Sequence, residues 1–236
     1  MKLSVPSVVI LTGAGVSAES GLATFRDSGG LWEQHDVMEV ASIDGWYANP
    51  ALVIDFYNYR RSQAFKAKPN DGHRAIAQIQ EQFGAKVITQ NVDDLHERAG
   101  ASEVLHLHGE LRKVRSETNP DYVLDIGDAP IHIGDCCPDG GQLRPHIVWF
   151  GEMVPLIEVA AEWCSNADIL IVAGTTLEVY PAAGLVDAVP NHAQIYVVDP
   201  IRPKAHISNK VHYIEENGTS GLPKLFQLLK EMYPNE

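Results

Sequence analysis

The 236-residue sequence predicts an α/β fold, a Rossmann-like parallel sheet with helices on both faces plus a small inserted module. Three observations support this prediction. Short, continuously apolar runs recur along the chain, amphipathic helical patterns lie between most of them, and one long segment, 112–145, follows neither pattern. Runs that are apolar throughout, rather than alternating, are typical of strands buried on both faces of a parallel sheet.

Six apolar runs are predicted to be the strands of this sheet. Each is bounded by glycine or polar residues, and helical patterns separate most of them, which favours parallel pairing. The runs are 8–11, 86–89, 104–107, 168–173, 194–198 and 211–214.

Three segments predict helices. In 49–65, Asn49 is a typical N-cap and Pro50 takes the first helical position, where its missing N–H is not needed. Segment 71–84 is amphipathic and is expected to stop at its final glycine, and 221–233 predicts a third amphipathic helix. The segment 112–145 includes the stretch GDCCPDGGQLRP, and so long an irregular region predicts an inserted module or a functional loop.

The composition excludes several classes of function. The chain has 18 Lys and Arg against 31 Asp and Glu, a net charge of −13, so we expect neither nucleic acid nor an anionic membrane as a partner. No apolar run reaches the roughly 20 residues of a membrane span, and the first residues leave no room for a secretory signal. Three cysteines, two of them adjacent, do not suggest a disulfide framework. The expected location is the cytoplasm.

The stretch LTGAGVSAES follows the first apolar run and matches the dinucleotide fingerprint G-x-G-x-x-G/A. Gly13 allows a tight turn, Gly15 lets the backbone approach a pyrophosphate, and the following helix offers N–H groups at its N-terminus. A purely structural strand-to-helix turn is the alternative for so short a motif. Asp199, after run 194–198, is placed to bind ribose hydroxyls, which favours NAD over NADP, although it lies unusually far from the glycines.

Five further stretches place polar and aromatic side chains at predicted strand ends or in loops: SGLATFRDSGGLW, TQNVDDLH, LHLHGEL, RPHIVWFGE and GTTLEVYPAAGL. In this order they resemble the sirtuins, the NAD-dependent protein lysine deacylases, and the resemblance covers the chain nearly end to end. It implies NAD as the cofactor and acylated-lysine proteins or peptides as substrates. The products it implies are nicotinamide, O-acyl-ADP-ribose and free lysine.

The resemblance implies that His108 is the catalytic residue. An imidazole can take a proton from a ribose hydroxyl near neutral pH. His106 is expected to be a core or supporting histidine, and Asp94 and His96 to be surface or capping residues. The cofactor-binding residues implied are Gly13, Ala14, Gly15, Ser17, Thr24, Phe25, Arg26, Gln90, Asn91, Asp93, Gly174, Thr175, Thr176 and Asp199.

Two motifs, VWFGE and LEVYP, resemble the two edges between which the family binds an extended peptide as an added strand. Without the family, IVWF is equally readily a buried strand. The substrate-binding residues implied are Ala41, Tyr57, Arg60, Val148, Trp149, Phe150, Gly151, Glu152, Glu178, Val179 and Tyr180.

Tyr57 and Arg60 lie three residues apart on a predicted helix and share a face. Tyr-x-x-Arg here matches the class III sirtuins, which prefer succinyl, malonyl or glutaryl lysine, and Ala41 matches a position that leaves space in this branch. A phenol and a guanidinium can hold a distal carboxylate, whereas an acetyl group offers nothing to pair with. The alternative is an ordinary exposed helix face. The resemblance therefore implies a preference for acidic acyl groups with weaker deacetylation.

The four zinc cysteines usual in the family are not in place. The matching positions are Ser116 and Asn119, then Cys137 and Gly140. One thiol cannot supply a structural zinc site, and neutral Ser and Asn are poor zinc ligands, so zinc is not expected. The alternative to a chain without zinc is that some metal coordination remains near Cys136.

The chain is divided on this basis into two parts. Segments 1–30, 70–110 and 146–236 are predicted to form the NAD-binding domain, and 31–69 with 111–145 the small module. Two rival functions use the same NAD pocket, namely protein mono-ADP-ribosyl transfer and a non-catalytic NAD or ADP-ribose sensor. The sequence leaves the oligomeric state open.

Overall fold

The computed structural model describes residues 5–23, 31–32, 35–204, 207 and 210–234. The strands are β1 Val8–Thr12, β2 Leu31–Trp32, β3 His35–Asp36, β4 Lys86–Thr89, β5 Val104–His106, β6 Gly109–Ser116, β7 Val123–Asp125, β8 Leu143–Ile147, β9 Ile169–Ala173, β10 Gln194–Val198 and β11 Val211–Ile214. The helices are α1 Gly15–Ala18, α2 Val37–Val40, α3 Ile43–Ala48, α4 Pro50–Lys66, α5 Asp71–Phe83, α6 Leu95–Arg98, α7 Ile157–Ser165 and α8 Gly218–Met232, with a 3₁₀ helix at Ala182–Asp187.

The central sheet has six parallel strands in the order β11-β10-β9-β1-β4-β5. Each predicted apolar run supplies one of these strands, so the predicted α/β class is confirmed. Chain order runs outward from β1 through β4 to β5, and in the other direction from β9 through β10 to β11. The reversal lies between β1 and β9, and ligands of such sheets bind beside the carboxyl ends of the strands at this point.

One detail of the strand prediction is wrong. The run at β11 is not buried on both faces, since Tyr213 is exposed and its neighbours are only partly covered. β11 is an edge strand that pairs with β10 alone, so it needs less apolar cover than the central strands.

Helices cover both faces of the sheet. On one face, α5 and α8 pack against each other and against β1, with Ile76 and Leu225 in the same apolar cluster as Ile10. On the other face, α7 and the 3₁₀ helix bury Cys164 and Leu185 in a second cluster. Within the described ranges, no helix is long and apolar enough to cross a membrane.

The predicted helix ends are confirmed for two helices. The Asn49 side chain caps α4 by accepting a hydrogen bond from the Leu52 N–H, with Pro50 at the first helical position. Helix α5 begins at the Asn70 cap and ends at Gly84, which has a left-handed backbone with φ of 64°. Glycine adopts this conformation at low cost.

A third apolar core joins helices α2 to α4 to the antiparallel sheet β7-β6-β8. Buried side chains of this core include Trp46, Val53, Leu111 and Val114. The irregular region predicted for 112–145 is therefore partly a sheet. The strand pattern of β6 is hard to read in the sequence because a register shift interrupts its pairing with β8 and charged residues fill its outward positions.

Candidate active site

Two glycine turns meet at the reversal point of the sheet, one after β1 and one after β9. The Gly13 N–H donates to the Ala173 carbonyl at 3.0 Å, and the Gly15 N–H donates to the Gly174 carbonyl at 2.8 Å. A Cβ added to Gly15 would lie 2.8 Å from the Gly174 Cα. A Cβ added to Gly174, whose φ is +65°, would lie 2.3 Å from the Val16 nitrogen. The glycines are therefore required by the contact between the two turns, in addition to any approach to a ligand.

Two backbone N–H groups at these turns are available to donate hydrogen bonds to a ligand. Among the described residues, no acceptor receives a hydrogen bond from the N–H of Ala14 or of Thr176, and both residues line a cavity of about 260 Å³. Two free N–H groups at the carboxyl edge of a parallel sheet fit the pyrophosphate of a dinucleotide.

The cavity gathers most of the predicted site residues. From the predicted cofactor set, it is lined by Gly13, Ala14, Gly15, Ser17, Gln90, Asn91, Asp93, Gly174, Thr175 and Thr176, together with His108. From the predicted substrate set, it is lined by Ala41, Tyr57, Arg60, Val148, Trp149, Phe150, Gly151, Glu152, Val179 and Tyr180.

Five predicted residues are not among those that line the cavity. Thr24, Phe25 and Arg26 lie outside the described residues. Glu178 is exposed beside the cavity, and the buried carboxylate of Asp199 accepts a hydrogen bond from the Ile201 N–H at 2.9 Å. The predicted roles of Glu178 and Asp199 stay predictions.

The chemical state of His108 follows from its neighbours. It lies between β5 and β6, directly before Gly109, and its Nδ1 is 3.0 Å from the Gln90 carbonyl oxygen. A carbonyl only accepts, so Nδ1 carries the proton and Nε2 keeps its lone pair. Burial lowers the pKa of His108 below 6.5, which the bond to Gln90 only partly offsets. At neutral pH the imidazole is uncharged and basic at Nε2, as a general base requires.

The segment after β4 is tied to the first glycine turn through Ser17. The Ser17 hydroxyl donates to Asp93 Oδ2 at 3.0 Å and accepts from the Asn91 side-chain amide at 3.2 Å. Gln90 Nε2 donates to Thr175 Oγ1 at 3.2 Å, which links this segment to the second turn. Burial raises the pKa of Asp93, while the bonds from Ser17 and the backbone oppose the rise. Ser17, Asn91 and Asp93, three of the predicted cofactor residues, are thus held in one hydrogen-bonded unit.

Buried histidines lie behind this unit, and the sequence prediction missed them. His73 Nε2 lies 3.3 Å from Ser17 Oγ, and burial lowers the pKa of His73 to about 4. The expectation that His96 is a surface or capping residue is wrong, because its side chain is fully buried with Nε2 2.9 Å from Thr12 Oγ1. Polar residues in helices are usually exposed, so the sequence suggested that His73 and His96 were exposed too. Their burial follows from the packing of α5 on α6, which the sequence does not show.

His106 has the supporting position that was predicted for it. Its Nδ1 is 3.0 Å from the Asn91 carbonyl and its Nε2 is 2.7 Å from Glu97 Oε1. Both partners are hydrogen-bond acceptors, so the imidazolium, with a proton on each ring nitrogen, is the form of His106 that donates to both. Burial alone would lower the pKa of His106, but the Glu97 carboxylate outweighs it and raises the pKa.

Tyr57 and Arg60 are buried together at the cavity, with 1% and 8% of their surface exposed. The prediction of a shared helix face is therefore confirmed, and the alternative of an exposed face is wrong. The Tyr57 oxygen accepts a hydrogen bond from Trp149 Nε1 at 3.0 Å. Burial is the main reason that the pKa of Tyr57 lies well above its usual value of 10.0. Ala41 is also buried at this end and adds little bulk.

Glu152 lines the cavity but is already bound to protein partners. Its oxygens accept two hydrogen bonds from the Arg144 guanidinium, at 2.8 and 3.0 Å, and one from Arg115 at 3.0 Å. Oε2 also accepts from the Trp149 backbone N–H at 2.9 Å. Burial alone would raise the pKa of Glu152, and the arginines together with this N–H lower it instead. Neither arginine was found from the sequence, which shows charge but not pairing.

The backbone of the predicted peptide edge is partly occupied. The Phe150 N–H donates to the Ala41 carbonyl at 2.9 Å, and the Phe150 carbonyl accepts from the Ile43 N–H at 3.0 Å. The N–H of Gly151 has no acceptor among the described residues. The Gly151 N–H is therefore available to a ligand, whereas both backbone groups of Phe150 are occupied.

The two turns that match the zinc positions do meet, with Cys137 as the single thiol at the four matched positions. Ser116 Oγ donates to Asp139 Oδ2 at 2.8 Å, and the Asn119 N–H donates to Ser116 Oγ at 3.2 Å. The Cys137 N–H donates to the Gly141 carbonyl at 2.8 Å. Across the described ranges, no group of three His, Cys, Asp or Glu residues is arranged to hold a metal. This donor set does not fit zinc, because one thiol among four matched positions cannot close a tetrahedral site and the Ser116 hydroxyl is hydrogen-bonded to Asp139.

The fold and the site together define a class of protein. A parallel sheet with a glycine turn at its reversal point, next to a neutral histidine in the same cavity, is typical of a dinucleotide-dependent enzyme. A model of the Sir2 family matches residues 13–181. The chain belongs to the Sir2 family, which confirms the resemblance to the sirtuins.

Relatives and solved structures agree. A Bacteroides thetaiotaomicron protein named NAD-dependent protein deacylase is 50% identical over 228 residues, covering 94% of this chain and 97% of its own. A Helicobacter pylori protein of the same name is 50% identical over 230 residues, covering 98% of both chains. A structure of a Sir2 homologue bound to NAD has a TM-score of 0.87 at 36% identity, covering 96% of this chain and 90% of that one. A complex of Sir2 with a p53 peptide and NAD⁺ has a TM-score of 0.76 at 27% identity, covering 96% and 92%.

Proposed function

We propose that this protein is an NAD-dependent protein-lysine deacylase that prefers acidic acyl groups, succinyl, malonyl or glutaryl, over acetyl. The observation that supports the preference is the burial of Tyr57 and Arg60 side by side at the cavity. A guanidinium and a phenol side by side can both donate hydrogen bonds to the distal carboxylate of an acidic acyl group, whereas an acetyl group has no such acceptor.

The charges around Tyr57 support an acidic acyl group. Arg60, Arg144 and Glu152 all act on Tyr57 electrostatically. An unpaired Glu152 would repel a substrate carboxylate, but Arg144 and Arg115 both bind it. The negative charge of Glu152 is therefore compensated by two guanidinium groups, and Arg60 lines the cavity beside it.

His108 supplies the base of the proposed reaction. When bound, NAD supplies an electrophilic ribose carbon and nicotinamide as its leaving group. His108 Nε2 has a free lone pair and takes the proton of a ribose hydroxyl. Asn91 and Asp93, fixed through Ser17, orient the ribose and the nicotinamide amide. Val148 and Trp149 line the path of the lysine methylenes and exclude water.

The substrate in this proposal is an acylated-lysine peptide segment that binds as an added strand between Gly151 and Glu178–Tyr180. Phe150 and Tyr180 are exposed at the cavity and provide apolar contacts for side chains of the segment. Main-chain pairing explains tolerance of peptide sequence. Cys136, Cys137 and Cys164 are free thiols, which supports a cytoplasmic location within the same proposal.

The test compares acetyl, succinyl, malonyl and glutaryl versions of one peptide with NAD, using mass detection of peptide and nicotinamide products. Each hydrogen bond to a charged group contributes about 1.5–3 kcal/mol, so we expect a succinyl-to-acetyl ratio of kcat/KM of at least about 10. Arg60→Met should lower this ratio by about 10- to 100-fold. Arg74→Met, which removes an exposed guanidinium on α5, is the matched control and should leave the ratio unchanged.

The outcomes separate the rival functions. A wild-type ratio of one or below contradicts the acyl preference. Transfer of ADP-ribose to protein without loss of the acyl group would indicate the mono-ADP-ribosyltransferase, and binding of NAD with no turnover would indicate a sensor. The presence of a base at His108 within the cavity favours deacylation, because a sensor has no need of one.

A further inference from the structure

The direction of the Tyr57 hydroxyl is set by one neighbour. Its only hydrogen-bond partner among the described residues is the indole N–H of Trp149, at 3.0 Å. An indole N–H donates and never accepts, so the Tyr57 oxygen is the acceptor in this bond. No acceptor among the described residues therefore takes the phenol proton. Burial raises the pKa of Tyr57, which keeps that proton in place.

Trp149 is itself held on several sides. Its ring lies 5.5 Å from the Trp46 ring, and the Arg144 guanidinium lies 3.7 Å from its centroid. Arg144 is bound to both oxygens of Glu152, and Glu152 also accepts the Trp149 backbone N–H. With one face stacked and the backbone anchored, the indole has little freedom to turn its N–H away from Tyr57.

We propose that Trp149 is a specificity-positioning residue, whose indole N–H occupies the Tyr57 oxygen and so leaves the phenol able only to donate into the cavity. A donor at this point favours an acyl group that ends in an acceptor, such as a carboxylate, and gives nothing to a terminal methyl. Without the indole N–H, the hydroxyl is free to rotate and loses this bias. The inference rests on the proposed preference for acidic acyl groups.

The experiment is a double-mutant cycle on the intact protein, with succinyl and acetyl versions of one peptide as probes. Trp149→Phe keeps an aromatic ring and removes the N–H. We expect the succinyl-to-acetyl ratio of kcat/KM to fall about tenfold, the lower end of what one bond to a charged group contributes, mainly through a higher KM for the succinyl peptide. In a Tyr57→Phe background, Trp149→Phe should change the ratio by less than about twofold, because the phenol it orients is gone.

Trp46→Phe is the matched control, since Trp46 stacks on the same indole but donates its own N–H to Glu117. It should leave the acyl ratio within about twofold of wild type. Three results would overturn the inference: an unchanged ratio in Trp149→Phe, an equal loss of both activities, or the same fall in the Tyr57→Phe background. A wild-type ratio of one or below instead rejects the proposed acyl preference itself, and the inference with it.

Discussion

The protonation of His108 gives the sharpest test of the proposed chemistry. The Gln90 carbonyl fixes the proton on Nδ1, and burial lowers the pKa of the ring below 6.5. The base form is therefore complete at neutral pH and is lost only as the pH falls through this lowered value. We expect the acid limb of kcat/KM to lie below pH 6.5.

The size of the effect follows from the role. A positioned general base contributes about 10²- to 10⁴-fold, or about 3–5 kcal/mol of transition-state stabilisation. His108→Asn removes the base but retains a group of similar breadth, so the loss of kcat/KM should fall in this range. Binding of NAD should change far less, because the ring supplies a proton acceptor rather than the main contacts of the cofactor.

The assay uses an acetyl-lysine peptide, whose acyl group does not ionise, from pH 5 to 9. In parallel, NMR follows the His108 Cε1–H resonance, assigned by its absence in His108→Asn. The NMR midpoint and the kinetic limb should coincide below pH 6.5. An acid limb centred above pH 7, or a His108→Asn variant with more than about a tenth of wild-type kcat/KM, would refute the reasoning.

Three further predictions concern the fold around the site. Gly109→Ala should destabilise the protein by at least about 1–3 kcal/mol in urea unfolding, because φ is +82° and the new Cβ would lie against the His146 carbonyl oxygen; normal stability would contradict this. The pKa of Asp139 is lowered mainly by Ser116, so its contribution to stability is complete above pH 3.8 and is lost as the pH falls through the lowered pKa. Asp139→Asn should thus lower the melting temperature at pH 7, the difference from wild type should shrink as the pH falls below 3.8, and chelator should leave wild type unchanged. The pKa of His106 is raised by its ion pair, so its stabilisation is complete below pH 6.5 and lost as pH rises through the raised value. As the pH rises from 6.5 through the raised pKa of His106, the melting temperature of wild type should fall, whereas that of His106→Asn should not change with pH.

Sequence patterns were sufficient to predict those structural features that depend on neighbouring residues or on a pattern repeated along the chain. Buried parallel strands are apolar throughout, so their positions could be found without neighbours. Asn49 and Gly84 end helices through their own side chain or backbone, and these ends were also predictable. The order of the site motifs identified the family, and through it His108 and the Tyr57–Arg60 pair.

The sequence failed where a residue takes its role from a distant partner. The sequence did not show that Arg144 binds Glu152, and His96 was expected at the surface but is fully buried. The sheet in 112–145 was hidden because its outward positions are charged and its pairing is interrupted.

The sequence alone determined the six strands of the central sheet, the caps of α4 and α5, the family and the residue types available for chemistry, because these depend on local pattern and order. Only the tertiary structure decided which charges are paired, which nitrogen of His108 keeps its lone pair and which group donates to the Tyr57 oxygen. Those properties depend on burial and on hydrogen bonds between residues that are far apart in the chain, such as Tyr57 and Trp149, whose positions differ by 92.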